Sequence, residues 1–182
     1  INGVSQGVRC KDMSVTAENT MDKEESATSF TRQSRYRLMW MDTKYEPGTV
    51  KVVAYNEAGE AVAEREVKTA GNPHHIELKV DRATIEANGK DLAFVTVSVV
   101  DKDGNLCPAA DNLIEFSVAG EGHYRAGANG NSVSLELFHE PRMKVFSGMM
   151  TAIVESNDTP GTITLTARSK GLKSAKIVIK SE

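Results

Sequence analysis

The stretch Arg37–Thr69, RLMWMDTKYEPGTVKVVAYNEAGEAVAEREVKT, decides the fold class. Val50, Val52 and Ala54 alternate with Lys51, Val53 and Tyr55, which is the period-two pattern of a strand with two unlike faces. Asn56, Glu57, Ala58 and Gly59 then supply turn residues, Ala61 to Val67 alternates again, and Lys68 to Gly71 ends the run. Asn and Gly tolerate the backbone angles that a tight reversal demands, so the segment reads as a β-hairpin. No apolar stripe of 3.6-residue period is long enough for a core helix anywhere in the sequence, and the chain is expected to be all-β.

Toward the N-terminus, Ile1-Asn2-Gly3-Val4 reads as the second half of a hairpin, because Asn-Gly is a two-residue turn signal and no strand stands before it. The expectation is a piece of a longer polypeptide whose first domain lacks its leading strands. An incomplete sheet of this kind exposes backbone groups that could pair with a strand of a neighbouring copy. Lys11 to Ser29 is rich in Asp, Glu, Ser, Thr and Asn without a sustained period, and reads as a loop or a short frayed helix.

Toward the C-terminus, Ala70-Gly71-Asn72-Pro73 interrupts the pattern, since Pro has no N–H for a ladder. A domain boundary is expected there, with residues 1–71 forming an incomplete β-sandwich and 72–182 a second one. In the second part Ile76, Leu78 and Val80 alternate, Phe94 to Val100 is Val-rich, and Asp101 to Asn105 is a turn. Leu113 to Ala119, Val133 to Leu137, Met149 to Glu155, Gly161 to Arg168 and Ala175 to Lys180 complete the expected strands. Many short strands separated by turn signals predict an immunoglobulin-like sandwich.

In detail the sequence resembles the C-terminal sandwiches of bacterial β-galactosidases of glycoside hydrolase family two. Asn2, Gly3, Ser5, Gly7, Trp40, Tyr45 to Gly48, Ala54-Tyr55 and Thr69 to Gly71 carry the likeness in the first part. In the second part it is carried by Asp81-Arg82, Ile85 to Asp91, Val97 to Gly104, Pro108, Asn112, Phe116, Gly120 to Gly122, Asn129-Gly130 and Phe146 to Gly148. The resemblance implies two tandem immunoglobulin-like domains with an accessory function, supporting a catalytic barrel of the parent chain or a subunit interface. It places the two catalytic Glu residues of a retaining mechanism outside this sequence. A shorter part, IEANGKDLAFVTVSVVDKDGN at Ile85–Asn105, is also similar to the repeat of invasin-type adhesins. That likeness keeps a surface adhesin or carbohydrate-binding module as the alternative, while leaving the Tyr-Glu-Pro-Gly half unexplained.

With 182 residues, 40% hydrophobic and 26% charged, the chain can hold two small cores. A net charge of -3 without a Lys/Arg run argues against nucleic acid as a partner. No apolar stretch approaches the roughly 18 residues of a membrane span, so no membrane partner is expected. Cys10 and Cys107 fall in different expected domains and read as two free thiols, Cys107 partly buried beside Pro108. Whether the parent is exported to the periplasm or beyond is left open.

The chemistry-bearing residues read mostly as structure. Glycoside hydrolysis needs two carboxyl groups held across a sugar, and a barrel to present them takes about 250 residues, so no catalytic residue is expected. Asn56-Glu57 lies in a turn closed by Gly59, and His139-Glu140-Pro141 in a loop before a strand. Asp101, Asp103 and Asn105 begin like a calcium loop, but Leu106 and Asn112 stand where Gly and Glu are required. His74-His75 reads as linker, because neighbours on an extended chain point to opposite sides. No metal or cofactor is expected. Trp40, the single Trp, is expected to fill the first core rather than to stack on a sugar. Gly120 to Gly130 reads as a long loop between strands, and His123, Tyr124, Arg125 and Asn129 on it are the candidates for touching carbohydrate or another domain.

Overall fold

A computed structural model describes residues 1–10 and 37–182. Most of the Lys11–Ser29 reading therefore lies outside the described residues, as does the remainder of 11–36. The chain divides into two units, Ile1–Thr69 and Ala70–Glu182. Among the described residues every ordered element is a strand or bridge, and the protein is all-β.

In the first unit the alternating run forms one antiparallel hairpin, β1 (Thr49–Tyr55) with β2 (Ala61–Lys68). The register sets Val50 opposite Val67, Val52 opposite Arg65 and Ala54 opposite Ala63, so one face is largely apolar. The turn is closed by Gly59 N–H donating to the Asn56 carbonyl at 3.0 Å, and Glu60 N–H donating to Asn56 Oδ1 at 2.9 Å. The residues that carry the family likeness meet around β1. Asn2 Oδ1 accepts from Thr49 N–H at 2.8 Å, and its Nδ2 donates to the Pro47 carbonyl at 3.1 Å. A Cβ on Gly48, whose φ is +138°, would fall on the Asn2 carboxamide, which is why the Pro-Gly turn ends in glycine. Thr69 Oγ1 accepts from Gly48 N–H at 3.0 Å and lies 3.2 Å from the Tyr45 hydroxyl. Trp40 is half-buried and donates from Nε1 to the Gly7 carbonyl at 3.0 Å, so among the described residues it ties down the N-terminal segment instead of filling a core.

The second unit holds nine strands: β3 (His75–Val80), β4 (Thr84–Ile85), β5 (Leu92–Val100), β6 (Leu113–Gly120), β7 (Gly122–Ala128), β8 (Arg142–Lys144), β9 (Met149–Ser156), β10 (Gly161–Arg168) and β11 (Ala175–Ser181). They form two sheets, ordered β4-β11-β10-β6-β8 and β3-β5-β9-β7. Neighbours are antiparallel except β4 beside β11. The alternation of β5 explains the packing, because Ala93, Val95, Val97 and Val99 all point inward and are fully buried. They share one core with Ala152 and Val154 of β9 and with Ile114, Ile163, Leu165 and Ile179 of the other sheet. The two sheets thus make a sandwich.

Sequence expectations also change in the second unit. Gly120 to Gly130 is not a loop: Gly120-Glu121-Gly122 is a corner at which the chain crosses from the five-stranded to the four-stranded sheet, and β7 follows at once. The glycines are needed because a Cβ on Gly120 (φ +94°) would strike the Thr162 carbonyl, and one on Gly122 would strike the Glu155 carbonyl and the Ile163 side chain. Conversely, Val133 to Leu137 is not a strand. Side chains take the pairing a strand would have made, since Glu136 Oε1 accepts from Lys144 N–H at 3.0 Å. Cys107 is fully rather than partly buried, and burial pushes its thiol pKa up; Cys10 is exposed.

Candidate functional site

The four candidate residues do not converge on one site. β7 is an edge strand paired with β9, and its register slips between Tyr124 and Ala126, leaving Arg125 as an extra, bulged residue. Strand alternation leaves both His123 and Arg125 exposed on the outer side of the sheet. There they flank Glu155 of β9: Arg125 Nε lies 2.9 Å from Glu155 Oε2, and His123 Nε2 lies 4.0 Å from Oε1. His123 Nδ1 also lies 3.4 Å from Asn157 Oδ1. Tyr124 turns the other way and stacks on Phe116, with ring centroids 5.4 Å apart. Its hydroxyl is buried without a hydrogen-bond partner among the described residues, and burial pushes its pKa up to about 12, so it offers nothing to a ligand outside. Asn129 is structural: Nδ2 donates to the Lys144 carbonyl at 3.0 Å, and Oδ1 accepts from Asn131 N–H at 3.0 Å.

The sequence reading missed Glu155 and Asn157, because an alternating strand gives no sign of which edge strand will lie beside it. It also missed a shallow opening of about 300 Å³ lined by Leu113, Leu135, Glu136, Leu137, Glu140 and Arg142. Two carboxylates border it, which is the number glycoside hydrolysis requires. Both are already engaged. Glu136 accepts from Lys144 N–H and from the Ser134 hydroxyl at 3.2 Å, and Glu140 Oε2 holds Arg142 Nε at 2.9 Å.

The remaining sequence candidates fall into turns. Asp101, itself buried, accepts from Gly71 N–H at 2.8 Å, from Asp103 and Asn105 N–H at 2.9 Å each, and from Asn105 Nδ2 at 3.0 Å. These donors, the Gly71 amide first, hold its carboxyl well below the usual carboxylate range. His74 and His75 do meet, contrary to the expectation of opposite directions. Their Nδ1 atoms lie 3.0 Å apart with the rings edge to face, because His74 precedes β3 and is free of the strand's alternation. Among the described residues no three His, Cys, Asp or Glu side chains gather as metal ligands would.

The sandwich just described matches a known domain. The family described as glycoside hydrolase family 2 C-terminal domain 5 matches residues 76–178, nearly the whole second unit. The chain belongs to glycoside hydrolase family 2. A domain of unknown function, DUF4982, matches residues 1–63 of this family 2 chain. Over all 182 residues the chain is 42% identical to β-galactosidase BoGH2A of Bacteroides ovatus, covering 19% of that protein. It is 32% identical over 111 residues to a β-galactosidase of Thermoanaerobacter pseudethanolicus, covering 61% of this chain and 13% of that one. The chain therefore spans a fifth or less of the length of these relatives. Among solved structures, a glycosyl hydrolase family 2 member from Bacteroides cellulosilyticus superposes with a TM-score of 0.72 at 33% identity, over 77% of this chain and 18% of that one. A β-glycosidase from Bacteroides vulgatus gives a TM-score of 0.72 at 26% identity, over 75% of this chain and 18% of that one.

Proposed function

We propose that the chain is the non-catalytic accessory region of a β-galactosidase, and that it supports the catalytic barrel of the same polypeptide or a subunit interface. The observation that carries this reading is the likeness to BoGH2A, which runs through the whole chain yet spans only 19% of that protein. The geometry agrees, since the carboxylates bordering the opening beside β8 are tied to Lys144, Ser134 and Arg142. Retaining hydrolysis of a β-galactoside would be carried out by two Glu residues elsewhere in the polypeptide, with this region bearing on stability and on the shape of the approach to the cleft.

The test is a panel of nitrophenyl glycosides. The purified 182-residue chain is expected to release no nitrophenol above buffer, while the complete polypeptide hydrolyses the β-galactoside and loses thermal stability when residues 70–182 are deleted. Release by the isolated chain, or a complete polypeptide indifferent to the deletion, would end this reading.

A further inference from the structure

Between β7 and β8, residues 129–141 form an irregular segment that is polar at its root and apolar outside. Val133 is 80% and Leu135 96% exposed, and Leu137 and Phe138 are each more than half exposed. A single exposed apolar side chain needs no explanation, but a contiguous cluster marks a surface that another surface covers. The backbone beneath is pinned. Gly127 N–H donates to the Phe138 carbonyl at 2.7 Å, Ser134 N–H to the Asn131 carbonyl at 3.1 Å, and Glu136 and Asn129 take up the N–H and carbonyl of Lys144. The apolar side chains are therefore held out from a fixed base, which lowers the ordering cost of docking. The same bonds occupy the outer edge of β8, so an added strand is disfavoured and side-chain surface is what remains on offer.

We propose that this segment is a docking surface that seats the region on an apolar face of a domain of the same polypeptide outside these 182 residues; the proposal rests on the accessory-region reading. Area selects this occupant over a second, free copy. Each such side chain can bury roughly 60–120 Å², so the four supply roughly 250–500 Å², against about 800 Å² per partner in a stable association of separate molecules. A covalent tether holds the partner at an effective concentration of order millimolar, and a smaller contact then suffices.

Hydroxyl-radical modification of Leu135, Leu137 and Phe138 is compared in the 182-residue chain and in the complete polypeptide. The expected result is modification slower by about fivefold or more in the complete polypeptide, as for residues removed from water at an interface. Leu135→Asp should return Leu137 and Phe138 toward their rates in the isolated chain. Equal rates in the two samples overturn the docking whether or not the polypeptide hydrolyses a nitrophenyl galactoside, and that hydrolysis, assayed in the same sample, bears only on the accessory-region reading. Protection unchanged by Leu135→Asp overturns its apolar basis. Protection within the isolated chain that grows with its concentration overturns it in favour of a second copy.

Discussion

Val52 in the first unit and Val97 in the second stand on the apolar side of alternating strands, yet Val52 is 50% exposed and Val97 is 0% exposed. Every buried hydrophobic residue among those described lies between Ile76 and Ile179. The two strands differ in what faces them. β5 has partners on both edges and a second sheet across the core, whereas β1 has β2 on one edge and no second layer among the described residues. Alternation chooses the face that will be buried; burial itself requires another layer, and a two-stranded hairpin is marginal without one.

The most direct way to break this comparison is hydrogen exchange on the isolated chain. Amides of β5, β9 and β10 are expected to exchange only through global unfolding, and those of β1 and β2 through local opening, with protection lower by about a thousandfold or more. Equal protection in the two units would mean that the hairpin is covered in solution. Residues 70–182 expressed alone should keep the slow amides and unfold cooperatively.

Truncating one apolar side chain in each unit sharpens it. Leu165, fully buried in β10, should cost about 2–5 kcal/mol as Leu165→Ala, because a cavity is left among Ile163, Ile179 and the β5 valines. Val52→Ala should change stability by less than about 0.5 kcal/mol. Urea unfolding followed by circular dichroism measures both, and a large loss for Val52→Ala would reveal a hidden core around the hairpin.

The strands were legible where alternation and turn glycines agree, as at β1, β2, β5 and β10. Legibility failed where one side chain replaced a backbone pairing, or where a corner looked like a loop. SVSLEL at Ser132–Leu137 alternates as well as any strand, but Glu136 uses its carboxylate to cap Lys144 and holds the segment off the ladder. Gly120 and Gly122 read as loop residues because glycine marks both flexible chain and tight crossing, and only the Thr162 and Glu155 carbonyls tell them apart. Of the four residues proposed to touch carbohydrate or another domain, His123 and Arg125 are exposed, while Tyr124 and Asn129 are half-buried. Strand alternation puts Tyr124 on the face opposite His123 and Arg125, a placement hidden as long as the segment reads as a loop.

Acid should weaken the second unit before the hairpin is affected. Arg82, through its hydrogen bond, and the Glu86 amide lower Asp91 to about 2. A folded-state pKa below the unfolded value of about 3.9 means that the stabilisation is complete above about pH 4 and is lost as pH falls toward 2. Asp101, held lower still, adds a contribution lost over the same range and below it. The urea midpoint of residues 70–182 is therefore expected to fall between pH 4 and 2, with a shallower slope in Asp91→Asn. Asp101→Asn should weaken the unit already at neutral pH, since an amide group replaces an oxygen that accepts from Gly71 or Asn105. An unchanged slope in both variants would move the acid sensitivity elsewhere.

As small as that of Val52→Ala should be the effect of Arg125→Ala, although Arg125 looks most like a binding residue. Its side chain is 63% exposed and its ion pair with Glu155 lies on the outer face of an edge strand, where water screens the attraction and holding a long side chain in place costs entropy. A change of about 0.5 kcal/mol or less is expected in the isolated chain, which is comparable to Val52→Ala and far below Leu165→Ala. Because His123 stays near Glu155, the carboxylate keeps a polar neighbour and the β7–β9 pairing is undisturbed. A loss as large as that of a core residue, read by the same urea titration, would show that the bulge depends on this pair and that the outer face of the four-stranded sheet is part of what holds the sandwich together.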